Sequence, residues 1–237
     1  MKSLATNLTF TEAPRWHDGR LYFSDFYSHR VLAVDESGNL ETIAEVANQP
    51  SGLGWLPDGR MLIVSMIDRK LLRREQDGTL VVHADLSGIA TWHCNDMVVD
   101  AAGRAYVGNF GFDLHGGGEP CAADLARVDP DGTVSVAAKD LQFPNGAVIT
   151  PDGQTLIIGE TMARQLTAFD IAPDGTLSNR RVWADIAPHL PDGICLDAEG
   201  AVWSADPLGN CVVRVKEGGE VTDTLDTGRG AFACMLG

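Results

Sequence analysis

The sequence is poor in basic residues and has no long apolar run. Its 237 residues include 33 acidic and 18 basic side chains, which gives a formal net charge of -15 at pH 7. Nucleic acids and anionic membranes are bound by cationic surfaces, so we expect neither as a partner. No segment reaches the ~18 apolar residues of a membrane span, and residues 1–11 lack the layout of a signal peptide. We therefore expect a soluble, cytoplasmic protein that acts on a small molecule; the sequence does not indicate its oligomeric state.

The cysteine and serine patterns exclude further classes of protein. The five cysteines are an odd number without paired or CxxC spacing, which argues against a disulfide framework and against a thiolate metal site. The sequence contains no GxSxG nucleophile elbow, so a serine hydrolase of that type is excluded. With 44% hydrophobic and 22% charged residues, the composition is that of one globular domain over residues 1–237.

A repeat of 40 to 50 residues organises the chain. Each copy is a tight turn followed by a short apolar run, and the marker glycines of the turns are Gly19, Gly59, Gly103, Gly153 and Gly200. A second series of turns lies between them, at residues 36–38, 76–78, 130–132, 173–175 and 217–219. A unit of this length with two hairpins is typical of one four-stranded blade of a β-propeller.

Five complete blades account for nearly all of the chain. Residues 229–237 then begin what resembles the innermost strand of a further blade. The sequence therefore predicts an all-β, six-bladed β-propeller whose sixth blade is truncated at the C-terminus, with a five-bladed ring as the alternative. Propellers usually close by pairing the two termini in one blade, because an open strand edge promotes aggregation. Residues 3–10 are the candidate for such a closing strand.

Residues at one phase of the repeat carry side-chain oxygens in every blade. They lie eight residues before the marker glycine, or seven in the shorter first blade, and they are Glu12, Ser51, Asn95, Asn145 and Asp192. Each precedes the innermost strand, which lines the channel, so the five side chains should converge at one mouth. The second strands return to the same mouth and end at a surrounding polar ring made of Asp25, Ser65, Asn109, Glu160 and Asp206.

Two of these positions have a plainer alternative interpretation. Asn145-Gly146 and Asp192-Gly193 match the commonest hairpin turns, Asn-Gly and Asp-Gly. The position of Pro191-Asp192-Gly193 argues against that interpretation. The other Pro-Asp-Gly triplets fall in the hairpin series, whereas this one lies at the channel-facing phase.

Four of the channel residues form an all-oxygen set. Glu12 and Asp192 supply two carboxylates, and Asn95 and Asn145 supply two amides. Oxygen ligands suit a hard cation, whereas zinc prefers histidine and cysteine. The sequence therefore predicts one divalent metal ion, with Ca²⁺ as the first choice and Zn²⁺, Mn²⁺ or Mg²⁺ as alternatives.

Four segments in order resemble the signature of the SMP-30/gluconolactonase/LRE-like family, the six-bladed lactonases of the regucalcin type. The segments are TEAPRW at 11–16, HCND at 93–96, FPNG at 143–146 and LPDGICLD at 190–197. The resemblance spans residues 6–237 and implies that Glu12, Asn145 and Asp192 hold a divalent metal. It further implies that Asn95 contacts a metal-bound water or the substrate, and that Asp192 is the general base.

Blade three departs from the family pattern. Sugar lactonases often have an arginine two residues before the blade-three asparagine, and His93 stands there instead, which weakens the case for an aldonolactone. Asn109 and Leu125, at the two ends of the connection between the second and third strands, are 16 positions apart, whereas the equivalent residues in the other blades are five positions apart. This Gly-rich loop carries Glu119 and is predicted to wall the pocket. We assign His93, Asn95, Asn109 and Glu119 to substrate binding.

Lactone hydrolysis follows from such a site. A cation would polarise the carbonyl group, and Asp192 would take a proton from the attacking water. Two alternatives stay open at this point. One is a phosphotriesterase or arylesterase that uses the same residues, with Asp192 as nucleophile. The other is a non-catalytic propeller that calcium stabilises.

Overall fold

Twenty strands in five antiparallel sheets make up the computed structural model, which describes residues 3–237. We number the strands in chain order and call the sheets blades one to five. The strand bounds are, for blade one, β1 Thr11–His17, β2 Arg20–Asp25, β3 Arg30–Val34 and β4 Leu40–Glu45; for blade two, β5 Pro50–Trp55, β6 Met61–Ser65, β7 Lys70–Arg74 and β8 Leu80–Asp85; for blade three, β9 Cys94–Val99, β10 Ala105–Asn109, β11 Ala123–Val128 and β12 Val134–Leu141; for blade four, β13 Pro144–Ile149, β14 Thr155–Glu160, β15 Gln165–Ile171 and β16 Leu177–Asp185; and for blade five, β17 Ile194–Leu196, β18 Val202–Asp206, β19 Cys211–Val215 and β20 Val221–Asp226. None of the described segments is a helix long and apolar enough to cross a membrane.

Each blade is a meander in which consecutive strands pair with one another. The marker turns form because their glycines take positive φ angles, as at Gly59 with φ +84°, which side chains with a Cβ atom rarely adopt. The second strands end where the repeat predicts, at Asp25, Ser65, Asn109, Glu160 and Asp206. The five four-stranded blades inferred from the sequence are therefore confirmed.

The ends of the chain add no further sheet to these five blades. Within residues 3–237, no strand precedes Thr11 or follows Asp226. Residues 229–237 instead run alongside β17, where the Phe232 carbonyl accepts a 2.8 Å hydrogen bond from the Gly193 amide. Residues 3–10, the candidate closing strand, form no strand. The six-bladed ring stays a prediction.

Hydrophobic layers join each blade to the next. Four clusters of buried side chains fill the spaces between blades one and two, two and three, three and four, and four and five. Leu53 and Leu62 in blade two, Met97 in blade three and Leu156 in blade four are all fully buried. Because each face of an inner blade packs on a neighbour, the five blades hold their innermost strands at fixed positions.

A cleft of ≈ 990 Å³ separates blade five from blade one. Residues 3–12 line it on one side, and Leu225 and residues 229–233 line it on the other. Phe23 and Val34 close its wall on blade one. Glu12 also faces this cleft, so it opens beside the predicted site.

Glycine allows the innermost strands of blades two and three to approach closely. A Cβ atom on Gly52 of β5 would lie 2.6 Å from the Met97 amide nitrogen and 2.9 Å from the Asp96 carbonyl carbon on β9. Both contacts are with backbone atoms, which cannot rotate away as a flexible side chain can. The spacing of these strands therefore depends on the missing side chain.

We predict that Gly52→Ala destabilises the protein by about 1–3 kcal/mol, because the added methyl group forces two blades apart. Gly88→Ala is the matched control, since a Cβ atom there meets nothing within 4 Å. Thermal unfolding followed by circular dichroism measures both. Equal midpoints for the two variants would contradict the proposed packing constraint.

Candidate functional site

The predicted channel residues occupy equivalent places on the innermost strands. Glu12, Ser51, Asn95 and Asn145 are each the second residue of their strand, and Asp192 lies two residues before β17. These strands are neighbours in the order β1, β5, β9, β13 and β17. Asn95, Asn145 and Asp192 are 7%, 7% and 9% exposed, and Glu12 is partly buried. We call Glu12, Asn95, Asn145 and Asp192 the axial oxygen set.

Two carboxyl groups of this set come close enough to repel one another. Burial raises the pKa of Glu12 well above its ordinary value, and the negative charges of Asp192 and Asp96 raise it further. Burial likewise raises the pKa of Asp192 to about 8, although a hydrogen bond from Asn145 partly offsets the effect. Both groups therefore hold protons more tightly than an exposed carboxyl group does.

A third carboxylate beside them, that of Asp96, forms a salt bridge with an arginine side chain. Arg15 Nη2 lies 2.7 Å from Asp96 Oδ1 and also donates to the Met97 carbonyl at 2.6 Å. Neither Glu12 nor Asp192 forms a salt bridge with any residue in the described part of the chain. Arg15 lowers the pKa of Glu12, but burial and the two neighbouring aspartates raise it more, so no basic side chain fully offsets the two axial carboxyl groups.

This arrangement fits a bound cation on its donor chemistry. Two buried carboxylates that repel one another gain most from a positive ion between them, and the two amides add neutral oxygens. Hard divalent ions such as Ca²⁺ prefer carboxylate and amide oxygens.

Hydrogen bonds between blades four and five hold the ligand-bearing backbone. The side-chain nitrogen Nδ2 of Asn145 donates to Thr161 Oγ1 at 3.2 Å, and the Thr161 hydroxyl donates to the Pro191 carbonyl at 2.6 Å. The Asp192 amide donates to the Ala205 carbonyl at 3.0 Å. These bonds fix Asn145 and Asp192 relative to one another.

Polar residues at the ends of the second strands act mainly as ties within their own blades. Glu160 accepts from the Gln142 amide at 2.6 Å, and Asp25 accepts from the Phe10 amide at 2.9 Å. Asn109 donates to the Asp124 carbonyl at 2.8 Å, and its amide oxygen accepts from the Gly111 amide at 3.1 Å. Because these bonds engage both ends of its side-chain amide, we leave Asn109 out of the substrate-facing residues proposed below.

Three potential metal ligands with different donor atoms lie together at blade five, and sequence spacing did not predict them. His189 Nδ1 lies 2.8 Å from Asp206 Oδ2 and 4.0 Å from Cys211 Sγ. The three ligand atoms lie within 4.8 Å of one another, which allows one ion to reach them all. Nitrogen, oxygen and sulfur donors suit a softer ion such as Zn²⁺, but burial raises the pKa of the Cys211 thiol and so opposes its ionisation.

Apolar side chains from four blades form a second tier at the mouth. This apolar mouth cluster consists of Phe26, Met66, Phe110, Phe112 and Phe143, with Phe10 and Trp92 packed against it. Phe110 and Phe112 belong to the start of the long blade-three loop. The Phe110 and Phe143 rings stack with centroids 4.8 Å apart, which places the base of that loop over the mouth.

The two remaining predicted substrate residues belong to this region. His93 is partly buried between Trp92 and Phe110, with ring centroids at 5.2 Å and 6.0 Å. Burial lowers the pKa of His93, and the nearby His115 lowers it further, so the ring favours its neutral form. Glu119 is exposed on the long loop.

Similar proteins share both the fold and the sequence pattern. The chain is 32% identical over 228 residues to the pentonolactonase XacC of Haloferax volcanii, covering 93% of this chain and 75% of that protein. It is 32% identical over 219 residues to regucalcin of Danio rerio, covering 86% and 70%. A gluconolactonase structure from Xanthomonas campestris superposes with a TM-score of 0.82 at 27% identity, covering 98% and 81%. The family model for the SMP-30/Gluconolactonase/LRE-like region matches residues 10–237, and the chain belongs to this family.

Proposed function

We propose that the protein is a divalent-metal-dependent lactonase. The observation that carries the proposal is the axial oxygen set, which combines a partly buried Glu12, a buried Asp192 and two buried amides at equivalent places on neighbouring strands. Neither carboxyl group forms a salt bridge within the described residues. The relatives named as lactonases support the reaction class. The substrate is a small molecule with a cyclic ester bond.

Three side chains of the axial set would hold the ion directly. They are Glu12, Asn145 and Asp192, with Asn95 as a fourth oxygen toward the ion or the substrate. Ca²⁺ is the first choice because every donor is an oxygen. When bound, the cation would polarise the lactone carbonyl and lower the pKa of a water molecule.

Asp192 takes the proton from the attacking water. Its side chain is buried, and its backbone is held by the 3.0 Å hydrogen bond from its amide to the Ala205 carbonyl. Burial raises the pKa of Asp192, and a bound cation would lower it again, so the cation and Asp192 would share the activation of the water. His93, which directly precedes β9, and Glu119, on the long blade-three loop, would contact the substrate.

We predict that Asp192→Asn lowers kcat by about 10²- to 10⁴-fold, because an amide still ligates a cation but accepts no proton. The assay is lactone hydrolysis followed by acid release, with folding checked by circular dichroism. Asp223→Asn, on the exposed face of β20, is the control. Activity near that of the unaltered protein in Asp192→Asn would exclude Asp192 as the base.

Asn145→Ala should weaken Ca²⁺ binding by about 10- to 100-fold, since a ligand oxygen is lost while both carboxylates stay. Calorimetric titration measures the affinity, and excess Ca²⁺ should restore part of the hydrolysis rate. Unchanged affinity would remove Asn145 from the ligand set.

Metal binding should depend on pH in a defined direction. Because burial raises the pKa of Asp192 to about 8, an ion binding at lower pH must displace a proton. Ca²⁺ affinity should therefore rise with pH toward about 8 and then level off, with proton release greatest below that value. Calorimetry in two buffers of different ionisation enthalpy measures the release. Affinity independent of pH between 6 and 8 would contradict an uncompensated carboxyl pair; Asp192→Asn should show a weaker dependence.

A further inference from the structure

The mouth above the axial oxygen set is apolar at two levels. The lower level is the apolar mouth cluster, whose members come from blades one to four and are at most 8% exposed. The upper level is a ring of exposed apolar side chains that we call the apolar rim. It consists of Tyr27, Ile67, Leu114, Met162 and Leu208, one in each blade, which are 57%, 41%, 38%, 41% and 73% exposed.

Backbone hydrogen bonds place both levels at the same mouth as the oxygen set. In blades one, three and four, the residue after the second strand donates to the carbonyl two residues before the oxygen-bearing side chain. The bonds are Phe26 to Phe10 at 2.9 Å, Phe110 to His93 at 2.9 Å and Thr161 to Phe143 at 3.1 Å. The backbone amides of the rim residues Ile67 and Met162 donate to carbonyl groups three residues before the oxygen-bearing side chain. The acceptors are the carbonyls of Asn48, at 3.1 Å, and Gln142, at 3.2 Å.

The recurrence of the rim indicates more than scattered surface residues. Tyr27, Ile67, Met162 and Leu208 each lie two residues after the end of a second strand. Leu114 belongs to the long loop that follows the second strand of blade three. Exposed apolar groups that gather around one opening commonly mark a binding site.

Apart from the axial oxygen set, His93 and Glu119, most polar groups at this mouth are already hydrogen-bonded within the protein and so are poorly placed for a polyhydroxylated substrate. The side chains of Asn109 and Thr161 are engaged in bonds to neighbouring carbonyl groups. Asp25, Glu160 and Asp206 accept hydrogen bonds from their own blades. Sugar hydroxyls that entered this layer would lose bonds to water without regaining them, and a buried hydroxyl without a partner is unfavourable.

One donor in this layer has no partner. The indole nitrogen of Trp92 is buried and makes no hydrogen bond within the described residues. Trp92 packs on the apolar mouth cluster and against His93. Because this nitrogen is buried, it offers no accessible donor to a sugar hydroxyl at the mouth.

We propose that the substrate is a lactone with an alkyl or aryl substituent, whose apolar part lies against the exposed rim while its ester group reaches the axial oxygen set. This inference rests on the proposed hydrolase function. It predicts that the mouth lowers kcat/KM for sugar lactones, apart from any difference in the reactivity of the ester groups themselves.

The test compares γ-lactones of increasing alkyl length, from γ-butyrolactone to γ-decalactone, with glucono-δ-lactone in the presence of Ca²⁺. We expect kcat/KM to rise by roughly fourfold for each methylene group that the mouth buries, mainly through KM. The rim variants Met162→Ser and Leu208→Ser should lower kcat/KM more for γ-decalactone than for γ-butyrolactone.

Matched controls come from apolar residues of comparable exposure that lie on the outermost strands of their blades. Val82 on β8 and Val182 on β16 are both 58% exposed on outermost strands. Val82→Ser and Val182→Ser should leave the dependence on chain length unchanged. A rim effect no larger than that of these controls would overturn the inference.

A γ-lactam with the same hexyl chain separates the two proposals, because it binds without being hydrolysed. Preference for glucono-δ-lactone over γ-decalactone would overturn the apolar-substrate inference and leave the lactonase proposal intact. Binding of the lactam, weakened by the rim variants, together with no turnover of any lactone would support the apolar site and refute the lactonase proposal. Failure of the lactam to bind and no dependence on chain length would overturn the apolar site.

Discussion

The proposed site depends on two carboxyl groups close enough to repel one another, neither of which forms a salt bridge within the described residues. Glu12 and Asp192 come from the first and fifth blades, and their mutual repulsion is unfavourable in the absence of a counter-ion. The blade interfaces hold them there, because each innermost strand is fixed by hydrophobic packing and by close backbone contacts. The energy of packing therefore maintains an arrangement that electrostatics alone would disperse.

Polar and apolar parts of the mouth have separate tasks in this account. In the proposed mechanism, the axial oxygen set would supply charge and proton transfer, while Arg15 pairs with the neighbouring Asp96. The apolar mouth cluster would exclude water above that set, which would strengthen electrostatic interactions below it. In such a site the axial oxygen set would carry out the reaction, and the apolar residues around the mouth would select the substituent of the substrate.

The sequence predicts the elements that repeat and misses those that depend on one particular contact. The turn spacing locates the ends of all five second strands, and the repeat phase locates Glu12, Asn95, Asn145 and Asp192 at or just before the beginnings of the innermost strands, while their role at a site stays a prediction. Periodicity says nothing about side-chain partners, so the engagement of Asn109 emerged only from its bonds to neighbouring backbone groups. The His189–Asp206–Cys211 cluster likewise depends on one set of side-chain contacts that the repeat does not signal, and the apolar mouth cluster emerged from packing between four blades.

The most direct test of the account is a crystal structure of the protein grown with Mn²⁺ in place of Ca²⁺, with the ion located by anomalous scattering. The account predicts one strong peak on the channel axis, bound through oxygen atoms of Glu12, Asn145 and Asp192 and completed by water. A principal peak at His189, Asp206 and Cys211, or axial oxygens too far apart to share one ion, would contradict it.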